Sequence, residues 1–218
     1  PLAEGIYNQL SFRAVLIDAA GNGTEGTPST DQLTVDETPA VPAFAVGPVK
    51  TTGGAEVDGF WNGGNDGLQV GVPVASLVAD MRVQLRANAS ADGTGTSFDP
   101  VGPLPAVEIT QGMINSAVGG QVDIALSGTQ VKGITGYGPD AKLKFSAVIF
   151  DLQGNGTEGT PSTDLITVDE TNPASFVTGS VVTVGTIEVA GYWNSSSTEI
   201  AVTVPLANTS LLVGGEIQ

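Results

Sequence analysis

The chain has 218 residues without cysteine or histidine, which excludes zinc sites built from these residues, thiol catalysis and Ser-His-Asp triads. Its net charge is −16 with only seven lysines and arginines, so it would repel a phosphate backbone, and nucleic acid is not expected as a partner. No stretch approaches 18 apolar residues, so the sequence predicts no membrane span.

The first predicted element is a hairpin around a loop rich in glycine. Residues 10–17 are rich in strand-forming residues and partly alternate, which predicts a strand with one buried face. The loop at residues 21–31 follows, and residues 32–35 form a short strand that completes the hairpin. The acidic linker Asp36-Glu37-Thr38-Pro39 comes next, and its proline stiffens the connection.

The chain beyond this linker is predicted to be a series of short strands separated by turns. The predicted strands are residues 45–49, 55–61, 68–74, 81–87, 106–110, 121–126, 142–150 and 165–168, and residues 111–117 form one helical turn. Seven or eight strands at this spacing, in a chain with 30 glycines and 13 prolines, predict an all-β fold. The expected architecture is an immunoglobulin-like β-sandwich.

The hairpin and its linker occur twice. Residues 12–38 match residues 145–171, with seven differences among 27 positions, at a spacing of 133. The pair Phe60-Trp61 is matched by Tyr192-Trp193 at a spacing of 132. A tandem repeat of this length predicts an array of whole domains. The predicted divisions are the C-terminal part of one repeat at 1–37, a complete repeat at 38–171 and the N-terminal part of a third at 172–218.

The repeated junction resembles a known class of protein. A strand, then Asp-x-x-Gly-Asn, a loop rich in threonine and serine, a closing strand and Val-Asp-Glu-Thr are similar to the domain junctions of bacterial immunoglobulin-like repeats. Such repeats are found in large secreted adhesins and other surface proteins. The resemblance covers residues 12–41 and 145–174, and more weakly the Gly-Phe-Trp-Asn and Gly-Tyr-Trp-Asn segments. It implies an extended extracellular rod, at the cell surface or in a secreted filament, often with calcium at the junctions.

Eight oxygen-bearing residues at the two junctions are the candidate calcium ligands, because calcium takes six to eight oxygen atoms. A loop that ends one domain and the acidic linker into the next would supply these ligands jointly. The competing interpretation is turn chemistry, since Asp and Asn also form Asx-turns and linker charges are often only solvated. The candidates are Asp18, Asn22, Asp36, Glu37, Asp151, Asn155, Asp169 and Glu170.

Two functional hypotheses come from these features. The first is a structural or adhesive surface protein, with no enzymatic activity, whose tandem repeats form a rod or filament and which meets a surface glycan or host receptor. The second is a carbohydrate-binding accessory module of a secreted enzyme, in which Trp61 and Trp193 would stack on sugars. Neighbouring residues of a strand point to opposite faces, so the competing interpretation places these tryptophans in the core.

The partial repeats at the two ends are complementary. Residues 1–37 carry the last strands of a repeat and residues 172–218 carry the first strands of the same repeat type. Each would expose strand edges and an apolar face if left alone. We therefore expect the partners of this chain to be neighbouring repeats of a longer polypeptide, or other copies of itself arranged head-to-tail.

Overall fold

The structure is a computed structural model that describes residues 12–30, 35–102, 106–173, 175 and 177–204. The chain divides into two compact units, one ending at Glu170 and the other beginning at Thr171. The regular structure consists mainly of strands in several sheets, with few short helices. The all-β prediction is therefore confirmed.

The first described element is a small antiparallel hairpin. Its strands are β1 (Val15–Ile17) and β2 (Gly23–Glu25), in which Val15 pairs with Glu25. Gly21 lies in the turn with a φ of 89°, a conformation that glycine adopts without the steric cost that other residues meet. Gly21 of the repeated loop is thus suited to the positive φ that this turn requires.

The described part of residues 38–170 contains the next ten strands, the two short α-helices α1 (Gln111–Asn115) and α2 (Gly128–Lys132), and a 3-10 turn at Val74–Ser76. Each helix begins after a hydroxyl cap, Thr110 for α1 and Ser127 for α2. The strands are β3 (Val49–Thr52), β4 (Phe60–Trp61), β5 (Gly67–Pro73), β6 (Arg82–Ser90), β7 (Asp99–Val101), β8 (Val107–Glu108), β9 (Gln121–Ser127), β10 (Lys142–Phe150), β11 (Gly156–Glu158) and β12 (Ile166–Val168).

These strands form two sheets. One has the antiparallel order β3-β5-β9, and the other has the order β4-β12-β10-β6-β7, with β8 also paired to β6 and β11 to β10. The longest pairing joins β6 and β10 from Lys142 opposite Ser90 to Phe150 opposite Arg82. Among the named strands, the pairing of β12 with β4 is parallel and the others are antiparallel.

The two sheets share one hydrophobic core. Alternate residues of β9, namely Val122, Ile124 and Leu126, are buried while the residues between them are exposed, as a strand with one core-facing side requires. Side chains from both sheets belong to a single buried cluster that includes Trp61 and Phe145. Burial of each large apolar side chain contributes about 1.5–3 kcal/mol, so this cluster is the main source of stability.

The second unit contains one described hairpin, formed by β13 (Val181–Gly185) and β14 (Ser197–Val202). Val181 pairs with Val202, just as Val49 pairs with Val70 in the first unit. Both members of the pair are displaced by 132 positions, so β13 and β14 repeat β3 and β5 in the same register.

The predicted strands at 68–74, 81–87, 121–126, 142–150 and 165–168 are confirmed as β5, β6, β9, β10 and β12, and the helical turn at 111–117 is confirmed as α1. The strand predicted at 106–110 is shorter, as β8. The strand predicted at 45–49 is displaced: Ala45 forms an isolated parallel bridge, and β3 begins only at Val49, directly after Pro48, which has no amide hydrogen for a ladder.

Other differences have local causes. The strand predicted at 55–61 is reduced to β4, because Gly59 has a φ of 78° and a turn joins the Phe60 amide to the Val57 carbonyl. Two strands are not predicted from the sequence: β11, whose Gly-Thr-Glu sequence is typical of a loop, and β7, which contains Pro100. The strand predicted at 32–35 lies outside the described residues except for Val35.

We predict that an isolated fragment of residues 38–171 folds as a monomer. Strands β3 to β12 and their shared core lie within it. Urea denaturation followed by circular dichroism should show one cooperative transition, and sedimentation should give a single monomeric species at all concentrations. A fragment without a cooperative transition would contradict the assignment of one complete repeat to this segment.

Candidate functional site at the closing seam and the two ends of the repeat

The first and last segments of the complete repeat are hydrogen-bonded in two stretches, at residues 41–49 and at residues 59–61 of the first segment. We call this contact, between residues 41–61 and residues 157–170, the closing seam. In its first half, the Val46 amide donates to the Thr160 carbonyl at 2.9 Å, and the Thr160 amide donates to the Phe44 carbonyl at 2.8 Å. Side chains add further bonds: the Val41 carbonyl accepts from the Thr157 hydroxyl, the Gly47 carbonyl accepts from the Ser162 hydroxyl, and the Asp164 carboxylate accepts from the Val49 amide.

The second half of the closing seam is the parallel pairing of β4 with β12. The Thr167 amide donates to the Gly59 carbonyl, and the Asp169 amide donates to the Trp61 carbonyl, both at 2.8 Å. Ala45 and Thr160 also form a parallel bridge in the first half. Both segments therefore run in the same direction along the whole seam.

The loop at residues 154–164, which is identical in sequence to residues 21–31, is a structural part of the seam. Its Gly159 amide donates to the Ala147 carbonyl of β10, and its Ser162 amide donates to the Phe145 carbonyl. Gly159 and Ser162 are buried. A side chain at Gly159 would overlap the ring of buried Phe44. Packing and hydrogen bonding therefore account for Gly159 and Ser162 of this loop.

Asp151 and Asn155 form a tight turn at the end of β10. The Asp151 carboxylate accepts bonds from the amides of Gln153 and Asn155 and from the Asn155 side chain, at 2.8 to 3.1 Å. Partial desolvation raises the pKa of Asp151, but the bonds from Asn155 and the neighbouring amides outweigh it and hold the pKa below the ordinary value. The structure therefore brings Asp151 and Asn155 together.

The first copy of this turn has the same geometry. The Asp18 carboxylate accepts bonds from the amides of Ala20 and Asn22 and from the Asn22 side chain. The Asn22 side chain, followed by the backbone amides, lowers the pKa of Asp18. The Asx-turn interpretation thus describes both Asp18 and Asp151.

A cluster of four side chains lies where the chain leaves the repeat, and we call Trp61, Lys132, Tyr137 and Glu170 the exit cluster. The Lys132 ammonium lies 2.7 Å from the Glu170 carboxylate, and the indole of Trp61 donates to the same oxygen at 3.3 Å. The Lys132 contact is the largest cause that lowers the pKa of Glu170; desolvation opposes it. The exit cluster joins β4, α2 and the end of the last segment.

The hydroxyl of Tyr137 is buried in the exit cluster without a hydrogen bond of good geometry. Burial and the neighbouring Glu170 carboxylate raise the pKa of Tyr137 to about 12. Lys132 and Tyr137 are not predictable from the sequence as partners of Glu170, because they are more than 30 positions from it and only the fold brings them to it.

The two groups of candidate calcium ligands in the complete repeat lie apart. Asp151 follows the last residue of β10, whereas Asp169 follows β12, whose Thr167 pairs with Lys142 at the first residue of β10. Nine residues of strand separate them, a distance of about 30 Å. The structure therefore does not bring Asp151 and Asn155 to the linker carboxylates Asp169 and Glu170.

The other linker carboxylates lie before the complete repeat. Asp36 accepts a bond from the Thr38 amide, and Glu37 is exposed. Within the part of the chain that the structure describes, no group of three or more acidic residues is arranged to hold a metal ion. Asp18 and Asp151 stabilise turns, and Glu170 belongs to the exit cluster. Calcium binding at the junctions stays a prediction.

Trp61 does not form an exposed platform for sugars. Its side chain is fully buried within the core, while its neighbour Phe60 is partly exposed, as alternation along a strand requires. The core interpretation of Trp61 is therefore confirmed. Its counterpart Trp193, with Tyr192, is exposed in the second unit.

Searches against protein-family models, curated proteins and solved structures found no match to this chain. No helix within the described ranges is long and apolar enough to cross a membrane.

Replacing Gly159 with alanine should destabilise the complete repeat. The new methyl group would overlap the ring of buried Phe44, and overpacking of this kind costs typically about 1–3 kcal/mol. Gly138→Ala is the matched control, because its added carbon meets no atom within 4 Å and its φ is not positive. Urea denaturation measures both. Equal stability of the two variants would contradict the seam geometry.

Glu170→Gln should lower the free energy of unfolding by about 1 kcal/mol at neutral pH, the scale of a partly exposed ion pair. Because folding lowers the pKa of Glu170, its contribution is complete above the unfolded value of about 4.3 and is lost as pH falls through the folded value. Denaturation curves between pH 7 and pH 3 should therefore converge for wild type and variant at low pH. A pH-independent difference for Glu170→Gln would contradict the role of the exit cluster.

Proposed function

We propose that this protein is a structural and adhesive protein of the cell exterior, built from tandem immunoglobulin-like repeats that form a rod. It has no enzymatic role in this proposal. Its partners are neighbouring repeats, and its ligand is a surface glycan or a host receptor. The proposal draws its support from the order of the strands, from the repetition of their pairing and from the direction of the closing seam.

The order of the strands supports an immunoglobulin-like repeat. In that fold, strands A, B and E belong to one sheet and strands C, F and G to the other. Here β3, β5 and β9 take the places of A, B and E. The order β12-β10-β6-β7 takes the places of G, F, C and C′, and β4 pairs with β12 in parallel as the second half of the first strand.

The repetition of strand pairing supports a tandem array. Val15 pairs with Glu25 in the first hairpin as Val148 pairs with Glu158 in the complete repeat. The register of β13 with β14 likewise repeats that of β3 with β5.

A second detail extends this equivalence beyond the strands. The Asn62 side chain bonds the Gly64 amide and the Ala55 carbonyl, and Asn194 makes the same two bonds 132 positions later, to Ser196 and Ile187. The turn before β14 is thus built as the turn before β5 is. The conserved Asn of the two segments therefore makes the same two hydrogen bonds in both copies.

The observation that carries the proposal is the parallel direction of the closing seam. Because the first and last segments run the same way, the chain enters the repeat near Val41 and leaves it near Glu170, at opposite ends. Repeats joined in this way are displaced along a line rather than folded back. Short linkers that contain proline, such as 36–39, favour a stiff connection over a flexible tether.

Small-angle scattering on a protein of three whole repeats tests the rod. A compact particle of about 400 residues has a radius of gyration of about 21 Å. We expect a clearly larger value and a cross-section that matches one repeat. The matched control has a linker in which the prolines are replaced by glycine and serine, and it should give a broader distribution of distances. A radius of gyration near the compact value would overturn the proposal.

Calcium at the junctions is a second part of the proposal, motivated by the repeated acidic loop and linker. A ligand that binds only the folded form stabilises it by about 2.7 kcal/mol at a hundred times its dissociation constant. Adding EDTA should therefore lower the melting temperature, and Asp169→Asn, in the linker at the exit end, should weaken calcium binding by calorimetry. Asp92→Asn, in a loop away from the junctions, is the control. An unchanged melting temperature in EDTA would refute calcium binding and leave the rod standing.

A further inference from the structure

The outward side of the sheet that contains β6 and β10 carries most of the positive charge of the protein. The chain has seven basic residues against 23 acidic ones. Along both strands, residues that face the core alternate with residues that point away from it. Four basic residues occupy the outward positions, and we call them the basic face: Arg82 and Arg86 on β6, and Lys142 and Lys144 on β10.

The four cations of the basic face form a row along the paired strands. Arg82 lies opposite Phe150 at one end of the pairing between β6 and β10, and Lys142 lies at the other end. Arg86 and Lys144 lie between them. The row therefore extends over eight strand steps, a length of about 26 Å. Such a row suits a ligand that carries several anionic groups along a chain.

Most of these cations are available to a ligand. The Arg86 guanidinium lies 3.1 Å from the Glu158 carboxylate. Within the described ranges, Arg82, Lys142 and Lys144 form no ion pair. Because salt screens exposed charges beyond about 8 Å, an approaching anion is attracted by this face although the chain as a whole is acidic.

A groove of about 430 Å³ opens at the Arg82 end of the basic face. This volume lies within the range of small-ligand sites, about 300–1,000 Å³. Its lining is mainly apolar, and the Asp151 carboxylate at its rim already accepts bonds from the amides of its own turn. The side chains that matter below are those of Arg82, Gln84, Pro100, Phe150, Leu152 and Gln153.

Contacts hold two of the groove residues in place. The side-chain nitrogen of Gln84 donates to the carbonyls of Leu85 and Val101, at 3.0 and 2.9 Å. The ring of Phe150 lies against the backbone of Gly156, where an added side-chain carbon would be 2.9 Å from it. These residues need little ordering when a ligand binds, which lowers the cost of binding.

The two copies of the repeated segment differ where this groove is built. Seven of 27 positions differ between residues 12–38 and residues 145–171, whereas the loop at 154–164 is identical to 21–31. Three of the seven line the groove, and in each the second copy has the larger side chain: Phe150 replaces Ile17, Leu152 replaces Ala19 and Gln153 replaces Ala20. The framework of the hairpin is thus repeated, while the walls of the groove belong to the complete repeat.

We propose that the groove and the basic face bind a linear polysaccharide made of uronic acid residues, each of which carries a carboxylate. The Arg82 guanidinium pairs with one carboxylate, in the two-pronged geometry that makes arginine suited to this group. Phe150 and Leu152 cover the apolar side of the same sugar. The other three cations meet carboxylates further along the chain. A single terminal acidic sugar would use the groove alone, whereas the row of cations fits repeated carboxylates.

The inference rests on the adhesive part of the proposed function, because it names the class of glycan, and it needs neither the rod nor calcium. A compact particle in the scattering experiment would overturn the rod and leave this site unaffected. Absence of glycan binding would remove this ligand and leave the rod standing.

Isothermal calorimetry of the full chain with a hexasaccharide of galacturonic acid tests the site, in EDTA to exclude calcium bridges. The ligand control is the methyl-esterified hexasaccharide, which has the same length and no charge. Wild type should bind the acid form, with an affinity that falls severalfold between about 50 and about 500 mM salt. The ester should bind at least about tenfold more weakly, since each charged hydrogen bond is lost. Sialyllactose, with one acidic sugar, should also bind more weakly.

Two variants of the site have a matched control. Arg82→Gln should weaken binding about tenfold, the effect of one charged hydrogen-bonded pair. Lys50→Gln on β3 removes the same charge away from the basic face and should bind like wild type. The triple variant Phe150→Ile, Leu152→Ala and Gln153→Ala introduces the residues of the first copy. It should lose binding by a similar factor and still unfold cooperatively in urea.

Several outcomes would overturn the proposal. One is a wild-type chain that does not bind the hexasaccharide, and another is equal binding of the acid and its ester. Equal losses in Arg82→Gln and Lys50→Gln would show that binding depends only on total charge. Tighter binding of sialyllactose would assign the groove to a terminal sugar. Self-association of the chain that Arg82→Gln abolishes would assign the basic face to a second copy.

Discussion

The pairing of the first segment of the repeat with its last segment is the constraint on which the rest of this structure depends. Strands β5, β6, β9 and β10 supply much of the core, and residues 41–61 cover it because the closing seam, together with the pairing of β3 with β5, holds them in place. The seam uses backbone bonds, the hydroxyls of Thr157 and Ser162 and the carboxylate of Asp164. Buried amides and carbonyls that lost these partners would be costly, so the loop that supplies them is closely specified.

The same seam connects stability with the proposed function. Its parallel direction sends the chain out at the end opposite to its entry, which is what a rod of repeats requires. The exit cluster then ties the last residue of the repeat to β4 and α2 through Glu170. In the first and last described hairpins, by contrast, apolar side chains such as Leu16 and Trp193 lie exposed.

Much of the fold follows from the sequence, because strands with one buried face show it by alternation. β9 and β10 are predicted within one residue, and the tandem repeat identified residues 12–38 and 145–171 as equivalent, although not that β2 and β11 form within the repeated loop. The site is less predictable. The loop at residues 154–164 is identical in sequence to residues 21–31, which indicates that its residues are restricted. The sequence does not reveal one physical reason, the close approach of Gly159 to the ring of Phe44. No sequence pattern marks Lys132 and Tyr137 as neighbours of Glu170, because their contact with it depends on long-range packing.

The direction of the closing seam can be measured as a distance between spin labels, and the absence of native cysteine makes this simple. Labels at Ala43→Cys, on the first segment, and Pro139→Cys, beside the exit end of the repeat, attach to exposed positions. The parallel seam predicts a single narrow distance on the order of 30 Å, the length of about nine residues of strand. A distance below about 15 Å would place entry and exit at the same end and contradict both the seam and the rod.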